Sequence, residues 1–196
     1  MHRLFVLWLV SVLTSWAPPG RKHEQFPAAR ETEQEAIVRY HSLATDVLDV
    51  AFDPAEAPLF GGPEWKARAN TALLMASIIL KESGLRKDLD TGEGKHARGD
   101  NGRSVCVMQV NVGDGLVPLD GEPGTWGAKE LLSDRKKCLR AGLGLMRRSF
   151  NACRGPLEYR LASYASGRCD AGKQASANRI RAFLRARDLH PLLLPK

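Results

Sequence analysis

At 196 residues the chain is long enough for one domain with a real core and too short for two comfortable ones. A composition 43% hydrophobic and 26% charged excludes a mainly disordered chain. The formal net charge of +7 suits an anionic partner, but no aromatic-interleaved basic motif, zinc-finger spacing or helix-turn-helix accompanies it, so no nucleic-acid partner is expected.

In chain order, His2 and Arg3 precede an apolar stretch, Leu4 to Leu13, then Thr-Ser-Trp-Ala. That is the pattern of an export signal over residues 1–17, with Ser15 and Ala17 as the small residues before a cut; Pro18 is a poor residue to follow one. The alternative is a buried N-terminal helix. The stretch is short for a membrane span, so no stable span is expected once a signal is removed. Residues 18–31, rich in Pro, Arg and Lys, read as a linker. Thr32 with Glu35 fits a capping box. Ile37, Val38, Tyr40, Leu43, Ala44, Val47, Leu48 and Ala51 then recur at helical spacing to about Asp53-Pro54.

Pro63 is placed to open a second helix, to about Glu82, with an apolar face through Leu73, Leu74, Ala76, Ser77, Ile78 and Leu80 and Gly84 as its C-cap. Residues 85–104 are polar and glycine-rich and read as a loop, with a turn at Asp100-Asn101-Gly102. Within it, Asp88-x-Asp90-x-Gly92 echoes a calcium loop, but the glycine falls one place early; it reads as solvated, and no metal site is expected. "VCVMQVNVG" (105–113) is the one good strand. Another loop follows over 113–126. Ser133 is placed to cap a helix over 134–150, Pro156 opens a short helix to about Ala165, and a last helix spans about 175–187. The expected fold class is therefore mainly α (α+β), with one domain over 32–190 and a tail at 191–196.

The four cysteines, Cys106, Cys138, Cys153 and Cys169, include no C-x-x-C pair. In an exported chain an even count points to two disulfides with three possible connectivities, a Cys138–Cys169 pair being geometrically reasonable. The expected location is accordingly the periplasm or the extracellular space.

The chemistry gathers around Glu82. A carboxyl at the end of an apolar helix is partly desolvated, which disfavours its ionised form, and the partial negative charge of the helix C-terminus acts the same way. Such an acid can protonate a leaving oxygen near neutral pH. A glutamate at a helix end is, however, more often a plain surface residue. The neighbours weigh against that: Glu82-Ser83, then "GRSVCVMQ" (102–109), then "SYASG" (163–167). In this order they resemble the lysozyme-like superfamily and are most similar to lytic transglycosylases, which cut bacterial peptidoglycan. "DNGRSVCVMQVN" also resembles the active-site hairpin of animal-type lysozymes. The resemblance spans roughly residues 64–170.

The resemblance implies a lysozyme-like fold, with a small β-hairpin beside the helix that carries the catalytic acid. It implies Glu82 as sole general acid and then base, Ser83 as a substrate-orienting residue, and Met108 and Gln109 on the sugar-binding cleft. Tyr164 would lie near Glu82 or the reacting carbon. Each has a plainer reading: Ser83 as a helix-end residue, Met108 as core, Tyr164 as an ordinary buried aromatic. Cys106, Val107 and Ser166 depart from the family pattern, and Gln109 lies 27 residues after Glu82, a longer gap than the family's. Two-acid hydrolases need a second carboxylate. The position matching it in the lysozyme hairpin is Ser104, which favours a transglycosylase giving 1,6-anhydro products. Asp100 is the rival that would make the protein a hydrolase, and a catalytically silent wall-binding protein is the third reading. The expected partner is the glycan strand of peptidoglycan, with no cofactor.

Overall fold

The computed structural model describes residues 2–21, 25–94, 97–113, 117–119 and 122–192. Its centre is α3 (Glu64–Ser83), in which every residue from Thr71 to Ile79 is buried. A helix buried all round must satisfy its own polar groups. Thr71 does so by donating to Ala67 O and accepting from Leu59 N, and Ser77 by donating to Leu74 O. Gly84, with φ of 59°, ends the helix in the left-handed conformation expected of a C-cap glycine.

Around α3 pack α2 (Glu33–Ala51), α6 (Arg135–Ala152) and α8 (Lys173–Leu189). The capping box of α2 forms as expected: Glu35 N donates to Thr32 Oγ1 and Thr32 N to Glu35 Oε2. The cap of α6 is Asp134, which accepts from Lys137 N, while Ser133 ends the separate short helix α5 (Ala128–Ser133). After Pro156 come a 3₁₀ turn, Leu157–Tyr159, and then α7 (Ala162–Ser166).

The N-terminal apolar stretch is helix α1 (His2–Trp16), laid on α2 and α3 with Phe5, Val6, Leu9, Val12 and Leu13 buried in the common core. Ala17 is buried too, and its carbonyl accepts from Tyr40 Oη. No helix among the described residues is long and apolar enough to cross a membrane.

Three expectations are corrected. The single strand over 105–113 is instead the small hairpin that the resemblance implied, β1 (Ser104–Val105) paired antiparallel with β2 (Val110–Asn111). The chain reverses between them because Cys106 and Gln109 take φ of 61° and 48°, which no continuous strand permits. The loop over 113–126 contains a second antiparallel pair, β3 (Val117–Leu119) and β4 (Glu122–Trp126). The stretch taken as a solvated Asp-rich loop holds α4 (Lys87–Thr91), and Asp88 and Asp90 are buried. Asp88 accepts from Arg86, and Asp90 accepts from Arg135 and Arg39. Burial is tolerable there because guanidinium groups replace the lost water.

Two disulfides form, Cys106–Cys138 and Cys153–Cys169. The Cys138–Cys169 pairing is thereby corrected: Cys138 lies beside the hairpin and Cys153 at the end of α6. The result is a mainly helical molecule in which the hairpin is clamped to α6 beside the last turn of α3.

Candidate active site

Glu82 sits where α3 leaves the core. Leu80 is half-buried, Lys81 exposed, and the Glu82 side chain 18% exposed. It lines an open cleft of about 900 Å³, shared with Asp100, Ser104, Gln109, Arg148, Tyr164 and Arg179. Burial raises its pKa above the ordinary carboxylate value, the Arg179 guanidinium opposes this, and the negative charge of Asp100 adds to the rise. The net direction is upward, so desolvation outweighs the ion pair.

Arg179 was not legible as a site residue. From α8 it donates to Glu82 Oε1 through Nε at 2.9 Å and also through Nη2. Its guanidinium lies over the Tyr164 ring, 6.0 Å from the centroid. A signal for it does exist in the sequence. Ser176, Ile180, Phe183 and Ala186 form the buried stripe of α8, and Arg179 lies inside that stripe at helical spacing. An arginine in an apolar stripe requires a partner, and the partner is the glutamate.

Tyr164 lies on the same cleft as Glu82. Its hydroxyl donates to Met108 O at 2.8 Å, and its amide donates to Ser149 Oγ at 3.1 Å, tying α7 to both the hairpin turn and α6. Burial first, and then the nearby Glu82, push its phenol well above the usual range, so it stays neutral. Gln109 is half-buried on the cleft wall and donates from Nε2 to Cys106 O at 2.9 Å. A Cβ on Gly99 would collide with Gln109 Oε1, so a side chain at 99 would displace this amide.

Two residues lie elsewhere. Ser83 is buried; its hydroxyl donates to Ile79 O at 2.6 Å and accepts from Leu85 N, which makes it part of the helix end and not of the cleft wall. The Met108 side chain is wholly buried and fills the space over Gly142 on α6, so only its carbonyl serves the site, by holding Tyr164. Asp100 is exposed at the cleft mouth with φ of 49° and accepts from Ser104 Oγ at 2.5 Å. Ser104 thus orients this carboxylate. The three cleft arginines, Arg103, Arg148 and Arg179, face two acids, Glu82 and Asp100. The arrangement can donate a proton from a poorly hydrated carboxyl into an open, net cationic groove.

The chain matches no protein-family model, no curated protein and no solved structure with which it was compared.

Proposed function

We propose that the protein is a peptidoglycan-cleaving lytic transglycosylase acting on the β-1,4 bond between N-acetylmuramic acid and N-acetylglucosamine. The observation that carries this reading is Glu82: a carboxyl of raised pKa at the end of a buried helix, opening on a cleft together with Gln109 and Tyr164. In the proposed reaction Glu82 gives its proton to the glycosidic oxygen as that bond to C1 breaks. The neighbouring acetamido oxygen of the substrate stabilises the cation-like C1. Glu82, now a carboxylate, takes the proton of the 6-hydroxyl as that oxygen bonds to C1, closing the 1,6-anhydro ring and restoring the acid. The cationic cleft suits a strand whose peptide arms carry carboxylates. Two disulfides support an exported location, periplasmic or extracellular, because such bonds persist in oxidising compartments.

A second reading has its own observation. Asp100 is on the same cleft, exposed to water and oriented by Ser104, as a second acid of a muramidase would be. Digestion of purified peptidoglycan by wild type and Glu82→Gln, with mass analysis of the fragments, separates the readings. The expected result is anhydro-muramyl ends from the wild type and a loss of at least ~100-fold in release for the variant. Reducing ends would replace the transglycosylase with the hydrolase. Equal release by both proteins would remove Glu82 from the reaction, and binding without release by the wild type would leave a silent wall-binding protein.

A further inference from the structure

We propose that Arg179 is a positioning residue for Glu82: it occupies one carboxyl oxygen from α8 and so dedicates the other to proton transfer. The inference rests on the general-acid reading of Glu82 and specifies how that acid is held.

The geometry assigns the two oxygens different tasks. Both Nε and Nη2 of Arg179 donate to the same atom, Oε1. A carboxyl oxygen accepting two N–H bonds has committed its two lone pairs and cannot also carry the proton. The proton of the neutral acid is then on Oε2, which accepts no hydrogen bond from any described residue. Donation from Oε2 to a substrate oxygen leaves a carboxylate whose charge is already met by Arg179. The same oxygen can next accept a proton without the side chain turning over. Acid and base steps therefore share one preset geometry, and little reorganisation is needed between them.

Arg179 is itself held on two sides. It is 8% exposed, flanked on its own helix by buried Ser176, Ile180 and Phe183, and it lies over Tyr164, which is anchored to Met108 O. The charged and titratable groups sharing the cleft with Glu82 are Arg179 on α8, Tyr164 on α7, Arg148 on α6, and Asp100 and Arg103 ahead of the hairpin. Of these, Arg179 favours the ionised carboxyl and Asp100 the neutral one.

The test compares Arg179→Gln and Arg179→Lys with the wild type in peptidoglycan release across pH, in Tm, and in a carbon-13 NMR titration of the Glu82 carboxyl. With Arg179→Gln, kcat falls at least ~10-fold while KM stays within about threefold, because the acid is misplaced and not the substrate. The alkaline limb of the pH profile and the NMR midpoint move up by about one pH unit or more, because the opposing cation is gone. Arg179→Lys keeps the charge and hence the midpoint, but recovers kcat only in part, since an ammonium lacks the planar fork. An unchanged midpoint in Arg179→Gln overturns the proposal. So does an equal loss of kcat in both variants that tracks their Tm, which would mark a purely structural ion pair. If Arg179→Gln does not fold, the Lys variant decides: retained midpoint with partial kcat supports the proposal, and full wild-type kcat overturns it. Wild-type release by Glu82→Gln would instead defeat the general-acid reading itself. An inactive Glu82→Gln beside an Arg179→Gln protein of wild-type profile defeats only the positioning role.

Discussion

Glu82 and Asp90 are both acids held by arginine, and burial acts on them to different ends. The Asp90 side chain is 0% exposed, bonded through both oxygens to Arg135 at 2.7 and 3.0 Å, with Arg39 at 3.5 Å. It lies outside the cleft of Glu82, and together with Glu31 and Asp46 it neutralises two cations between α2, α4 and α6. Asp90→Asn removes the charge and leaves Arg39 with Glu31, and Arg135 with Asp46, as the remaining acid partners. We expect a loss of about 3 kcal/mol, seen as a fall in Tm on the order of 10 °C. A Tm within about 2 °C of wild type would mean that water or a neighbouring acid replaces it. Glu82 instead opens on solvent from one side, and its raised pKa sets a pH dependence. A general acid acts only while protonated. Activity that depends on Glu82 should persist above the ordinary glutamate range of about 4.3 and fall as pH rises through the raised value. A pH–kcat profile checks this, and an alkaline limb at or below ordinary glutamate values would contradict the desolvation argument.

At the scale of elements, the hairpin is the part whose shape depends on a covalent tie. Two residue pairs of β1 and β2 cannot by themselves hold a turn with Cys106 and Gln109 at positive φ. The Cys106–Cys138 bond fixes that turn to α6, and Met108 packs over Gly142 of the same helix. Replacing both cysteines by serine should cost about 2–4 kcal/mol in chemical unfolding. Under the proposed function it should also lower peptidoglycan release more than the equivalent change at Cys153–Cys169, because Gln109 and the carbonyl that holds Tyr164 belong to the clamped turn. Equal losses from the two double variants would show that the hairpin keeps its form without the clamp. Gly172, before α8, tests packing of a different kind. A Cβ there would collide with the Ala162 carbonyl at the start of α7, and backbone gives way less readily than a side chain. Gly172→Ala should lower Tm by several degrees while leaving the α3 end intact.

For the whole molecule the decisive question is what α1 does. Phe5, Leu9, Val12 and Leu13 are each 3% exposed or less within the common core, and Trp8 Nε1 donates to His190 O at the far end of the chain. Each such side chain contributes roughly 1.5–3 kcal/mol on burial. A domain of this size has a net stability of only about 5–15 kcal/mol. Deleting residues 1–17 should therefore abolish the cooperative thermal transition, as followed by circular dichroism. A fragment 18–196 with a native-like transition would make α1 an appendage. The cationic residues of α6 add a second joint: Lys136, Arg140 and Arg147 reach Asp49, Asp53 and Glu56, on α2 or just beyond it. These partly exposed pairs add register more than energy.

The amino-acid sequence by itself determined the long helices α2 and α3 and the caps that bound them, because periodicity and caps are local. The Thr32–Glu35 box, the apolar run into Glu82 and the Gly84 stop all lie within a few residues of the atoms they satisfy. It also determined that an acid stands at the end of a greasy helix, ahead of a Met-Gln pair and a late tyrosine. What lay beyond it depended on partners distant along the chain. Arg179 meets Glu82 across 97 residues, and Cys106 finds Cys138 across 32. Met108 turns inward, and Ser83 bonds its own helix, because the surrounding packing left no room to face the cleft. Asp90 read as solvated because its arginines, Arg39 and Arg135, lie 51 and 45 residues away, whereas Asp88 has its partner, Arg86, two residues off. Whether an ionisable side chain is hidden or wetted is settled by what the rest of the chain brings against it, and only the tertiary structure supplies that.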